Sequence, residues 1–155
     1  MTIYLEPTNI CNFKCTCCPE SFENFKQLSG GHFQLSIDDF NLVATQIKEL
    51  GTVKTLNFYM MGEPFVNKQL TQFIATAKRE AIANRVIVTS NGTLIKPPIY
   101  QSICDSGLDY LRISIYGGNE SAHQRTTQST IRLSHVRDNI LGLKRFRDDH
   151  DRTIP

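Results

Sequence analysis

Apolar positions along the chain switch repeatedly between a short-strand pattern and a helical one. Ile3 to Glu6 reads as a short apolar-rich strand. Residues 8–34 show no period and contain Gly30-Gly31, a loop of a length that is usually functional in a compact domain. Ser36 is placed as an N-cap, with Asp38 and Asp39 suited to the first turn. Phe40, Val43, Ile47 and Leu50 then recur at helical spacing, and Gly51 closes the element. Val53 to Met60 predicts a second strand. Asn67 is expected to cap a second helix whose buried face carries Leu70, Phe73, Ile74, Ala77 and Ala81. Arg85 to Thr89 predicts a third strand, and Pro97-Pro98 opens a third helix ending near Gly107. Leu111 to Tyr116 predicts a fourth strand. Val136, Ile140, Leu143 and Phe146 mark a fourth helix, and Arg152 to Pro155 reads as the start of a fifth strand.

Repeated strand–helix units of this kind imply an α/β fold with a parallel sheet covered by helices. In such folds ligands sit beyond the carboxyl ends of the strands. The chemically distinctive residues fall there. Cysteines follow the first strand, Gly62-Glu63 the second and Asn91-Gly92 the third, while Ser114 lies late in the fourth.

Composition narrows the function classes. The 155 residues are 40% apolar and 21% charged, enough for one well-packed domain and too ordered in character for a polyelectrolyte tail. A net charge of +2 without a basic stripe argues against nucleic acid as a partner. Lys144, Arg145 and Arg147 are followed by Asp148, Asp149 and Asp151, the pattern of a solvated helix end. No apolar run is long enough for a membrane span, and no leader pattern stands at the N-terminus, so the expected location is the cytoplasm. Thiols stay reduced there, which makes metal the expected role of clustered cysteines.

Cys11, Cys15, Cys17 and Cys18 form that cluster, and C-x₃-C-x₂-C supplies three thiolates from one loop. Soft thiolates suit iron–sulfur clusters, zinc or copper(I). A cubane held by three thiolates would keep one iron free for a chelating small molecule. Zinc would need a fourth ligand, from Cys17 or His32, and C-x₃-C-x-C is an alternative set. Cys104 reads as an apolar filler of the third helix.

Cys11, Cys15 and Cys18 resemble the three-cysteine motif of the radical S-adenosylmethionine (radical SAM) superfamily. Met61-Gly62-Glu63-Pro64 is similar to its Gly-Gly-Glu-Pro element, Thr89 to Thr93 to its Thr-Asn-Gly element, and Leu111 to Gly117 to its fourth-strand element. The resemblance implies a [4Fe–4S] cluster on Cys11, Cys15 and Cys18 whose open iron chelates S-adenosylmethionine. Reductive cleavage would give a 5′-deoxyadenosyl radical that abstracts hydrogen from a substrate. It further implies that the backbone of Cys17 contacts adenine, that Gly62 lets the chain approach the ligand, and that Glu63 accepts from the methionine ammonium. Ser90 and Asn91 would meet the ribose or shape the pocket, and Ser114 the ribose or carboxylate. Cys17 and Tyr116 depart from the family, which commonly has an aromatic residue and an aspartate at those places. Arg125 is expected to be solvated, and the four histidines carry no assigned role. The implied partners are a flavodoxin- or ferredoxin-like electron donor and an unknown substrate, peptide or small molecule. The SPASM-type peptide- and sulfatase-modifying subgroup is one branch the resemblance points to. The chain is expected to hold about four units of a partial (β/α)6 barrel, as the N-terminal part of one core domain.

Overall fold

The computed structural model describes residues 1–152. Its elements run β1 (Thr2–Leu5), α1 (Phe25–Leu28), α2 (Ile37–Glu49), β2 (Val53–Phe58), α3 (Leu70–Arg79), β3 (Ala83–Ser90), α4 (Pro97–Asp105), β4 (Tyr110–Ile113), α5 (Glu120–Thr127) and α6 (Leu133–Asp149). Short 3₁₀ turns stand at Pro19–Ser21 and Pro64–Val66. The four strands are parallel and lie in the order β1-β2-β3-β4. Strands that follow one another in sequence and in space, joined by right-handed crossovers, place their helices on one face.

That face is the core. Leu56 and Phe58 of β2, and Val86 and Val88 of β3, alternate onto it and are fully buried. Phe40 of α2 stacks on Phe73 of α3 at 4.9 Å, and both rings meet Phe58, at 5.8 and 6.2 Å. Ile3 and Leu5 of β1, and Leu111 and Ile113 of β4, pack against the same cluster. The alternate residues point to the opposite, inner face. One row in register there reads Tyr4, Asn57, Ile87 and Tyr110, and both tyrosine rings are about half exposed.

Local chemistry explains most boundaries. The Ser36 hydroxyl accepts from the Asp39 amide at 3.1 Å and donates to the Asp39 carboxylate at 2.6 Å, so α2 begins where a cap was expected. Gly51, at φ +84°, ends it. Leu50 differs from expectation: it sits at the C-cap and is exposed, because the buried stripe has already ended at Ile47. Asn67 also differs. The chain makes the 3₁₀ turn Pro64–Val66 first, and α3 begins only at Leu70. Asn67 is buried and ties loops together instead, donating to the carbonyls of Pro7 and Leu35 at 2.9 Å each. Ala81 is not on the buried face of α3: it lies past the helix, exposed at φ +51°, where the chain reverses so that Ile82 enters the core.

Strand ends shift as well. β2 stops at Phe58, leaving Tyr59 and Met60 exposed, and β3 is longer than its apolar run. β4 stops at Ile113, though the Ser114 amide still donates to the Ser90 carbonyl at 2.9 Å. α5 occupies a stretch for which the sequence pattern predicts no element. Its signals are the Asn119 cap, whose side chain accepts from the Ala122 amide at 2.9 Å, and Glu120 in the first turn. Of the expected fifth strand, residues 153–155 lie outside the described residues. No helix among the described residues is long and apolar enough to cross a membrane.

Candidate functional site

The cysteine loop is held from three sides. On the first, the Glu63 amide donates to the Ile10 carbonyl at 3.0 Å. Gly62 lies so close to the loop that a Cβ there would overlap the Thr8 carbonyl oxygen and sit 2.8 Å from the Thr8 carbonyl carbon. The nearest reason for glycine at this position is therefore the approach of two backbones. Glu6, just beyond β1, fixes the same turn by accepting from the Met61 and Gly62 amides at 2.6 and 3.1 Å.

On the second side stands the loop after β3. Asn91 donates to Asn12 at 2.8 Å, and Asn12 donates to the Thr93 hydroxyl at 2.7 Å. The Asn91 side-chain oxygen Oδ1 in turn accepts from the Thr93 amide and hydroxyl at 3.0 and 2.7 Å. Asn139 of α6 props this loop from behind by donating to the carbonyls of Gly92 and Thr93 at 2.9 and 3.0 Å. The third side is α5. The Lys14 and Thr16 amides donate to the carbonyls of Thr127 and Thr126 at 3.0 and 2.9 Å. Phe13, buried between the first two cysteines, packs edge-on against His123 at 5.6 Å and Tyr116 at 6.3 Å. Within the loop, Lys14 pairs with the buried Glu20 at 2.7 Å.

The loop ends bound a cavity of about 320 Å³. Cys11, Cys15, Cys17 and Cys18 line it together with Gly62 and Glu63. So do Ser90, Asn91 and Ser114 from the ends of β3 and β4. Every residue singled out in the sequence for cofactor contact thus faces one space, with Tyr59, Thr89 and Tyr116 added by the fold. Arg125 is exposed and contacts the Ser121 hydroxyl. Cys104 is partly buried against the core, as its place in the third predicted helix implied.

Electrostatics mark two groups in the cavity. Burial pushes the Cys11 thiol up to about 12, with the Glu63 and Glu20 carboxylates adding to the rise, and burial pushes Cys15 up to about 11, aided by Cys17 and Cys18. Both are therefore neutral near pH 7 until a metal replaces the proton. Glu63 is 2% exposed and makes no ion pair among the described residues. Burial raises its pKa, opposed by donors from the Asn91 amide at 2.7 Å, the Ser90 hydroxyl at 2.7 Å and the Phe65 amide at 3.2 Å.

Among the described residues no three His, Cys, Asp or Glu gather closely enough for a single metal ion. That holds for Cys11, Cys15 and Cys18 as for any set that adds Cys17 or the exposed His32. A cubane asks for something different: one thiolate per iron, spread around a larger body. Cys11, Cys15 and Cys18, the donors a three-thiolate cubane would use, all line this cavity together with Cys17.

The radical SAM superfamily model matches residues 5–148. The chain belongs to the radical SAM superfamily. Enzymes of this superfamily bind a [4Fe–4S] cluster and S-adenosylmethionine. The radical SAM chain is 32% identical over 112 residues to a GTP 3′,8-cyclase of Yersinia pestis, covering 72% of the chain and 32% of that protein. It is 30% identical over 112 residues to the GTP 3′,8-cyclase of Pectobacterium atrosepticum, with the same coverage. It therefore spans about a third of the length of these relatives. Among solved structures it is similar to BtrN in complex with AdoMet and 2-DOIA, at TM-score 0.64 and 19% identity over 88% of this chain and 53% of that one. It is also similar to methylornithine synthase (PylB), at TM-score 0.63 and 10% identity over 93% of this chain and 41% of that one. These two likenesses establish the fold: the sequential parallel sheet is the part of the radical SAM barrel that this chain holds.

The residues that sequence reasoning passed over are those that hold the loop. Glu6, Asn12, His123 and Asn139 carry no motif. The two ring nitrogens of His123 are buried without a hydrogen-bond partner among the described residues, and its packing on Phe13 has no signature in a segment without apolar periodicity.

Proposed function

We propose that Cys11, Cys15 and Cys18 hold a [4Fe–4S] cluster and that the adjoining cavity takes S-adenosylmethionine. The observation that carries this reading is the convergence of three thiols, a buried carboxylate and two serine hydroxyls on one cavity at the carboxyl ends of the strands. When bound, the cluster and S-adenosylmethionine together supply reductive cleavage of the sulfonium and a 5′-deoxyadenosyl radical for hydrogen abstraction from a substrate.

The chain's own residues contribute binding and orientation. Glu63 is a buried carboxylate with no cation beside it, so an arriving ammonium group favours its ionised form and gains a charge-assisted hydrogen bond. Ser90, already donating to Glu63, fixes that carboxylate's orientation. Ser114 presents its hydroxyl to the ribose or carboxylate, and the backbone of Cys17 meets adenine. Asn91 acts by shaping the pocket, since both ends of its amide are engaged with Asn12 and Thr93. Cys17 is exposed and adjacent to Cys18, and is assigned no iron.

The electron donor is of flavodoxin or ferredoxin type. The relatives' names put a nucleoside triphosphate among the substrate candidates. The test is anaerobic reconstitution followed by incubation with S-adenosylmethionine and dithionite. 5′-Deoxyadenosine should form, and Cys15→Ala should abolish it. A colourless protein that takes up stoichiometric zinc would refute the reading.

A further inference from the structure

Two guanidinium groups stand on the inner face of the sheet. Alternation from the core residues Leu56, Val86 and Leu111 sends Arg85 of β3 and Arg112 of β4 to that face. Arg112 is in register with Thr89, and Ser114 lies two residues further along the same face. Thr89 and Ser114 both line the cofactor cavity, and Arg112 stands outside that lining, paired in register with Thr89. Neither arginine makes an ion pair or hydrogen bond among the described residues. No residue of the four strands that alternates onto this face is acidic. Glu6, just past β1, commits a carboxylate oxygen to the Met61 and Gly62 amides. The face is thus cationic, with the exposed rings of Tyr4 and Tyr110 beside it.

We propose that this face binds the anionic group, a phosphate or carboxylate, of the molecule on which the radical acts, and that Arg112 is its principal contact. The proposal rests on reading the adjoining cavity as the S-adenosylmethionine site. A planar guanidinium forms paired hydrogen bonds to such anions, and a concave surface of one sign raises the local concentration of the opposite charge. The position of Arg112, one register step from the cavity, sets an anion anchored there within reach of that cavity.

The test is isothermal titration of the chain with inorganic pyrophosphate at constant ionic strength, before and after cluster reconstitution. Arg112→Gln should weaken binding tenfold or more and Arg85→Gln by a smaller factor. Arg137→Gln, whose guanidinium lies on α6 beside Asp138 at 3.4 Å, should stay within twofold of wild type. Arg112→Lys keeps the charge but not the paired hydrogen bonds, and should bind more tightly than Arg112→Gln and more weakly than wild type. Pyrophosphate binding that is absent from wild type, or equal in wild type and Arg112→Gln, would overturn the proposal. So would an Arg112→Gln variant that loses S-adenosylhomocysteine while keeping pyrophosphate, because the guanidinium would then serve the cofactor. A chain that builds a cluster and forms 5′-deoxyadenosine yet ignores pyrophosphate sinks this inference alone. A chain that builds no cluster sinks the reading beneath it.

Discussion

Replacing Gly62 by alanine adds one methyl group at the crossing of two backbones. Its φ is not positive, so alanine is allowed there by its own conformation, and the whole effect comes from contact. The new Cβ would overlap the Thr8 carbonyl oxygen and lie 2.8 Å from the Thr8 carbonyl carbon and 2.9 Å from the Ile10 carbonyl oxygen. Carbon atoms rest near ~3.5–4.0 Å apart, and these neighbours are backbone, so no rotamer change relieves the clash. Overpacking of this kind costs ~1–3 kcal/mol, and backbone neighbours place it at the upper end. Moving the loop away stretches the bond from the Glu63 amide to the Ile10 carbonyl, about 1 kcal/mol more. The expected destabilisation is about 4 kcal/mol, or roughly 8–16 °C in Tm for a domain of this size. Gly118→Ala is the control, since nothing lies within 4 Å of a Cβ there, and it should change stability by less than ~0.5 kcal/mol. Urea unfolding of the metal-free protein followed by circular dichroism measures both. Equal midpoints for the two variants would refute the claim that Gly62 is required by the approach of the cysteine loop.

Other outcomes follow from the same geometry. Asn139→Ala should cost ~1–3 kcal/mol, because the carbonyls of Gly92 and Thr93 lose their shared buried donor; urea unfolding reads it. Cys17→Ser should keep the iron content and the 5′-deoxyadenosine yield of wild type, whereas Cys18→Ser should lose both. In the metal-free protein the buried thiols of Cys11 and Cys15 have raised pKa values, so the folded state holds protons that the unfolded chain releases earlier. Stability should be full below about 9, the ordinary thiol value, and should fall as pH rises through about 11 and 12; thermal unfolding across that range checks the sign. At pH 8 the exposed Cys17 should be alkylated by iodoacetamide well before Cys11 or Cys15, as peptide mass mapping would show.

Much of this architecture is legible because its signals are local. Ser36 caps a helix through its own hydroxyl, and Pro97-Pro98 starts another without an amide to lose. The β-branched run Val86 to Val88 favours a strand, and the cysteine spacing carries its own chemistry. What is illegible depends on contacts far apart in sequence. Asn67 looks like a cap and instead joins Pro7 to Leu35, a role set by where those loops arrive. α5 has no apolar stripe to betray it. Its buried residues are His123 and Thr127, and its worth is that its last carbonyls receive the Lys14 and Thr16 amides. Gly62 was legible as a position of close approach, but the sequence alone does not say whether ligand or chain does the approaching.

The most direct test of the central claim is electron paramagnetic resonance of the reduced, anaerobically reconstituted protein with and without S-adenosylmethionine. Three thiolate ligands leave one iron open, so the cluster signal should change on addition of S-adenosylmethionine. A cluster signal indifferent to S-adenosylmethionine, or no cluster signal at all, would contradict the account.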